Sequence, residues 1–221
     1  TSRVLDQGAC GSCWAFSAAQ AVESQYAIVN GGSVTELSAQ EIMDCDWGSL
    51  TGAGDHACDG GNSNTAIDYL VAHNGGGLAT TATYPYDNND GVCRSKNDDV
   101  DHLYGIQGYM NITSGDWDSF NEALATKGPL SIAINAADDS FYFFTGEGVY
   151  HDEGCVGGYD DLDHAVLAVG YEEDETYGRV TLVKNSWSTH WADDGYVRIA
   201  QDGNICGVST DAIVPVLEKQ S

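Results

Sequence analysis

The sequence predicts an α+β protein in two parts, a helical half over 1–105 and a β-rich half over 106–221. Three observations carry that prediction. Apolar residues recur at spacings of three and four early in the chain. Segments after Gly105 instead alternate and are rich in β-branched residues. Between them, 55–101 is dense in Gly, Asn and Asp and reads mostly as loop, with Tyr84-Pro85-Tyr86 as a turn.

The elements follow in order. From Cys13 to Asn30 the chain holds no Pro and no Gly. Trp14, Ala18, Ala21, Val22, Tyr26 and Val29 mark one buried helical face. Ser12 stands at the N-cap position, and Gly31-Gly32 ends the helix. Ser38 and Glu41 form a capping-box pattern that opens a short helix toward Asp44. Asn64 to His73 reads as a third helix and Asp116 to Lys127 as a fourth. Leu130–Asn135, Ala165–Tyr171, Val180–Lys184 and Tyr196–Ala200 read as strands.

Length and charge bound the function. A chain of 221 residues can form one large domain or two small halves with real cores. Eight Lys and Arg against 34 Asp and Glu give a formal charge of −26, which disfavours nucleic-acid and anionic-membrane partners. No apolar run is long enough to span a bilayer, and no signal peptide is evident. Carboxylate repulsion of this size eases as pH falls, or as salt screens it, so an acidic compartment or an acidic or salty exterior is expected. The acidic clusters Asp98-Asp99 and 172–175 lack the calcium-loop pattern and read as solvated turns. His56, His73, His102, His151 and His190 lie in polar stretches and read as surface residues. Asn111-Ile112-Thr113 is a glycosylation sequon.

The chemistry concentrates in Gln7-Gly8-Ala9-Cys10-Gly11-Ser12-Cys13-Trp14. Cys13 opens a helix, where the positive end of the dipole favours a thiolate. The spacing Cys10-x-x-Cys13 also admits a redox dithiol, half of a metal site completed by Cys45, Cys58 or His56, or a structural pair. Seven cysteines point elsewhere: an oxidising route with three disulfides and one thiol left over. No metal and no cofactor is expected.

This run resembles the active-site segment of the papain-like cysteine proteases. Three further blocks resemble the family in the same order: Cys58-Asp59-Gly60-Gly61, Leu162-Asp163-His164-Ala165-Val166 and Lys184-Asn185-Ser186-Trp187. The resemblance covers nearly the whole chain. It implies the papain-like two-domain fold, a helical left domain and a β-barrel-like right domain with the active-site cleft between. It implies a cysteine endopeptidase in which Cys13 is the nucleophile and His164 the acid–base. Asn185 orients His164, Gln7 donates to the oxyanion, and Trp187 shields the Asn185–His164 hydrogen bond. It suggests disulfides Cys10–Cys58, Cys45–Cys93 and Cys155–Cys206, with the C-terminal tail returning to the first half. It places Gly60, Gly61, Asn62, Ser63, Ala133, Leu162, Asp163 and Ala165 along the substrate, and Asp211 at the floor of the pocket for the second residue before the scissile bond. An acid there is expected to accept Arg or Lys as well as hydrophobic residues.

Departures from the family are also legible. Only His73 lies between Cys58 and Cys93, where the carboxydipeptidases of the family carry an insertion with paired histidines. Extra residues lie instead in Asp46–Ala57, and Ser188 and Ala192 stand where the family usually has Gly. Family members extend further before the Gln7 block. The expected partners are peptide and protein substrates, the protein's own propeptide and cystatin-like inhibitors, with the enzyme a monomer. A secreted precursor whose leader and propeptide are removed is expected, bound for a lysosome, a vacuole or the exterior. A catalytically silent binding protein and a Cys-His acyl transferase are the competing readings.

Overall fold

A computed structural model describes residues 1–47 and 55–219. Most of the extra stretch Asp46–Ala57, namely 48–54, lies outside the described residues. The chain divides into two compact units. One takes in residues 1–2, 7–110 and the chain from Pro215 on; the other takes in 3–6 and 111–214.

The first unit is built on α1 (Cys13–Asn30). Gly31 ends it in the left-handed conformation, at φ 70°, and its N–H bonds to the Ala27 carbonyl. The expected one-sided burial is corrected here. Every residue from Trp14 to Gln25 is buried, so that stretch of α1 is enclosed on all sides, polar residues included, while its last turn emerges with Ile28 exposed. Such burial needs internal partners for the polar groups. The Glu23 carboxylate accepts the Leu37 N–H at 2.7 Å, and Ser24 Oγ donates to the Gln20 carbonyl at 2.8 Å. Ser12 is also corrected. It stands at the N-cap, yet its side chain bonds the Tyr86 hydroxyl at 2.8 Å and makes no cap bond.

α2 (Ala39–Cys45) starts at Ser38, whose Oγ accepts the Glu41 N–H at 2.9 Å. Only that half of the capping box forms. The Glu41 carboxylate turns inward, accepting the Ala79 N–H and lying 2.7 Å from His102 Nε2. His102 is thereby corrected from a surface residue to one whose side chain is only 7% exposed. Ser38 Oγ also donates to the Tyr84 carbonyl at 2.7 Å. Ser38→Ala is therefore expected to cost about 1–2 kcal/mol, the upper range for a lost cap. The measurement is a lower urea midpoint at unchanged m-value. α3 (Ser63–His73), β1 (Gly77–Ala79) and β2 (His102–Tyr104) follow, β1 and β2 pairing antiparallel. Those two short strands lie inside or beside the stretch read as loop. β3 (Ile106–Asn111) ends on an exposed Asn111, the sequon residue.

The second unit holds α4 (Trp117–Thr126), β4 (Leu130–Ile134), α5 (Asp139–Tyr142), β5 (His164–Asp174), β6 (Gly178–Lys184), β7 (Tyr196–Ala200) and, as far as Val214, β8 (Asp211–Leu217). Its strands run in the order β8-β4-β5-β6-β7, each pair antiparallel. β3 and β8 are strands the sequence reading missed. Phe120, Leu130, Ile132, Phe141, Val166, Val183, Val197 and Ile199 anchor one apolar core in this unit. Three disulfides form: Cys10–Cys58, Cys45–Cys93 and Cys155–Cys206. No helix of the described residues is long and apolar enough to cross a membrane.

Candidate active site

Two constellations of chemistry-bearing residues stand out, one in each unit. In the first, Cys13 opens α1 and is half-buried. Six of the seven cysteines are in disulfides, so Cys13 alone keeps its thiol. The approach to Cys13 is tightly laid. The Gly11 N–H donates to the Cys58 carbonyl at 2.9 Å, beside the Cys10–Cys58 bridge. A Cβ on Gly11 would come within 2.5 Å of that carbonyl, so only Gly permits the approach. Gln7 is buried, and its Nε2 donates to the Cys10 carbonyl at 3.0 Å.

The Gly60–Ser63 segment is fastened to the same region. Trp14 Nε1 donates to the Ala57 carbonyl at 3.1 Å, and Ser63 Oγ donates to the Trp14 carbonyl at 2.9 Å. A Cβ on Gly61 would lie 2.6 Å from the Trp14 ring, so the backbone rests directly on the indole. Gly60 and Gly61 are half-buried and Asn62 is exposed.

In the second unit, His164 begins β5 and Asn185 follows β6. Both are buried, and His164 Nε2 lies 2.8 Å from Asn185 Oδ1. That oxygen also accepts the Ser186 N–H at 2.8 Å. An amide oxygen only accepts, so Nε2 is the donor and carries the proton. Nδ1 is then the ring nitrogen that Asn185 does not engage. Trp187 stacks on His164, with ring centroids 4.7 Å apart and planes at 28°. Phe141, Tyr142 and Trp191 surround Trp187, and Trp191 Nε1 donates to the Tyr142 carbonyl at 3.0 Å. The histidine–amide bond thus lies beside an aromatic cluster that excludes water, which strengthens it.

Strand register assembles a further group. Ala133 of β4 pairs with Ala165 of β5 on one side and with Asp211 of β8 on the other. Directly opposed residues of antiparallel strands share a face, so Asp211, Ala133 and Ala165 line one face of the sheet. All three are half-buried, and burial pushes the Asp211 carboxyl up from the usual carboxylate range. Leu162, half-buried, packs where a Cβ on Gly207 would meet it. Asp163 is exposed and accepts the Ala136 N–H at 2.8 Å, so it pins the chain that follows β4. Ser188 and Ala192, noted for replacing Gly, have φ of 64° and 47°. Each holds a left-handed backbone with a side chain, at a cost of about 1–2 kcal/mol.

The described residues form no cluster of three or more His, Cys, Asp or Glu able to hold a metal ion. What the two constellations hold is a thiol at a helix N-terminus, a histidine fixed in one tautomer, buried side-chain amides and an acid on a strand face. That is the equipment of acyl transfer through sulfur.

Comparison with known proteins follows that geometry. The family described as "Papain family cysteine protease" matches residues 1–216. The chain is 41% identical over 215 residues to "Digestive cysteine proteinase 2" of Homarus americanus, covering 97% of this chain and 62% of that protein. It is 42% identical to a "Cathepsin L-like peptidase" of Aedes aegypti, over 97% of this chain and 60% of that one. The chain thus spans about three fifths of the length of these curated relatives. Among solved structures, the digestive procathepsin L 3 of Tenebrio molitor larval midgut superposes with a TM-score of 0.86 at 37% identity, over 98% of this chain and 67% of that one. Bromelain from Ananas comosus, solved in complex with the E64 inhibitor, gives 0.85 at 33% identity, over 98% and 94%.

Proposed function

The chain belongs to the papain family of cysteine proteases, and on that premise we propose that it is a cysteine endopeptidase working through a thioester on Cys13. The observation that carries the reading is the His164–Asn185 hydrogen bond of 2.8 Å stacked under Trp187. A histidine held this way in a single tautomer is built for repeated proton transfer.

The steps follow from the groups available. The Cys13 thiolate attacks the scissile carbonyl and forms a C–S bond, while His164 holds the proton on Nδ1. Charge moves to the carbonyl oxygen, where the Cys13 backbone N–H and a Gln7 Nε2 hydrogen stabilise it. The Cys13 N–H lies in the first turn of α1, at the positive end of the helix dipole, which suits it to a developing negative charge. As the C–N bond breaks, His164 gives its proton to the leaving amine. A water then attacks the thioester with His164 as base, releasing the acid and restoring the thiolate. Asn185 contributes orientation without charge. The endopeptidase reading rests on the absence of a histidine-bearing insertion between Cys58 and Cys93. A precursor with its own propeptide, cystatin-like inhibition and a lysosomal, vacuolar or secreted setting belong to the same proposal. Relatives solved as proforms support the precursor, and the three disulfides support the oxidising route.

Cleavage of a peptide library across pH, with Cys13→Ala as control, tests the reading. Internal cleavage lost in the control supports it. Inhibitor capture without turnover would favour the silent binding protein. Transfer to an added amine outpacing hydrolysis would favour the acyl transferase.

Asp211, Ala133 and Ala165 are proposed to line the pocket for the second residue before the scissile bond. A half-exposed pair with an Arg side chain contributes roughly 1 kcal/mol, so Arg over Leu is expected to gain about 5–10-fold. Because burial raises the Asp211 carboxyl, the charged form enters only as pH rises through that raised value. The Arg-to-Leu ratio of kcat/KM should therefore climb across the acidic range in the wild type and stay flat in Asp211→Ala. Equal profiles in both enzymes would remove Asp211 from the pocket.

A further inference from the structure

Asp46 and Asp55 form a buried pair of carboxyl groups that the catalytic reading does not use. Asp46 caps the C-terminal end of α2 and is 1% exposed; Asp55 is 0% exposed. The two side chains are within hydrogen-bonding reach of each other. Each has a buried Oδ2 that receives no N–H or O–H from elsewhere among the described residues. Two ionised carboxylates placed so would leave orphaned acceptors and like charges side by side. One proton between them supplies the missing donor and halves the charge.

The pair touches the Gly60–Asn62 segment. Asp55 Oδ1 accepts the Asn62 N–H at 2.8 Å, and a Cβ on Gly61 would lie 2.7 Å from that same oxygen. We propose that Asp46 and Asp55 share a single proton that fastens the Gly60–Asn62 segment to the end of α2, making Asp55 a positioning residue whose hold is strongest in acid. Its bearing on substrate binding rests on the protease reading; its bearing on the fold does not.

The surroundings favour retention of that proton. The charges acting on Asp46 are those of Asp55 and of Asp68 on α3, both negative. Tyr69 of α3 lies in the same field and is pushed up to about 12, by burial first and then by Glu41 and Asp46. Glu41 of α2 lies against His102. Asp46 itself is pushed up to about 8, chiefly by burial and then by Asp55.

The sign follows. Between the ordinary value of 3.8 and about 8, the folded chain keeps a proton that the unfolded chain has lost. The stabilisation is complete below that ordinary value and is lost as pH rises toward about 8. One retained proton changes the folding equilibrium by up to about tenfold per pH unit.

The test uses the whole chain with Cys13 carboxamidomethylated, so catalysis and self-digestion play no part. Urea unfolding is followed from pH 5 to 8 in wild type, Asp46→Asn and Asp55→Asn. An Asn donates without a titrating proton, so the wild type should lose up to about tenfold per pH unit relative to each variant. Proton release on unfolding at pH 6–7, measured without buffer, should be about one fewer in the variants. For positioning, hydrogen exchange at the Asn62 amide should quicken in Asp55→Ala and be restored in Asp55→Asn, which keeps the acceptor. Parallel pH curves in all three proteins would overturn the shared proton. Equal Asn62 exchange in Asp55→Ala and wild type would overturn the positioning role. Loss of peptidase activity alone would leave these readouts intact and bear only on the protease reading.

Discussion

Replacing Cys13 with Ala is expected to lower kcat by about 10⁴–10⁶-fold, the range for removing a covalent nucleophile. Residual rate would come from the oxyanion donors and binding alone. The same variant should fold normally. Cys13 is half-buried, at the first position of α1, and outside all three disulfides. Its urea midpoint should therefore shift by no more than about 0.5 kcal/mol in stability. That combination separates a lost nucleophile from a lost fold. A peptidyl epoxide should add one equivalent of mass to the wild type and none to Cys13→Ala. Retained activity in Cys13→Ala would move the chemistry to another residue and overturn the mechanism.

Removing the Asn185 side chain is expected to have the next largest effect, a fall in kcat of about 10²–10⁴-fold. Asn185 Oδ1 binds both His164 Nε2 and the Ser186 N–H, each at 2.8 Å, and all three groups are buried. Asn185→Ala leaves a buried imidazole N–H and a buried backbone N–H without their acceptor, at about 1–3 kcal/mol for each group. The imidazole is then released to rotate or change tautomer, so kcat should fall more than KM rises. Asn185→Asp separates orientation from charge. It keeps the acceptor but sets a carboxylate against the ring, which favours the imidazolium and should move the alkaline limb of kcat/KM to higher pH. If Asn185→Ala retained wild-type kcat, the histidine would need no orienting partner.

The parts of the fold legible in the sequence are those set within a few residues. α1 is bounded by a Gly-free, Pro-free run and by Gly31 at φ 70°, which only a local rule is needed to read. The six-plus-one division of cysteines is likewise a matter of counting. The partner of a residue far along the chain is not readable this way. Ser38 accepts from Glu41 three residues on, as its pattern predicts. The Glu41 side chain instead turns to His102 because a buried carboxylate is satisfied by whatever donor the tertiary packing brings to it. One-sided periodicity along α1 misjudged its burial, because polar residues count as outward in a pattern yet go inside when bonded.

The chain alone determined that a thiol would open a helix and that histidine and asparagine blocks would follow in a β-rich half. Only the tertiary structure decided which residues meet. Strand register set Asp211 opposite Ala133 and Ala133 opposite Ala165, although β8, β4 and β5 are far apart in the chain. Enclosure buried Asp46 beside Asp55, and that burial is what raises the Asp46 carboxyl. Local sequence governs backbone preference over a turn or two. Register and desolvation are properties of the closed fold, and they are what convert a residue type into a chemical role.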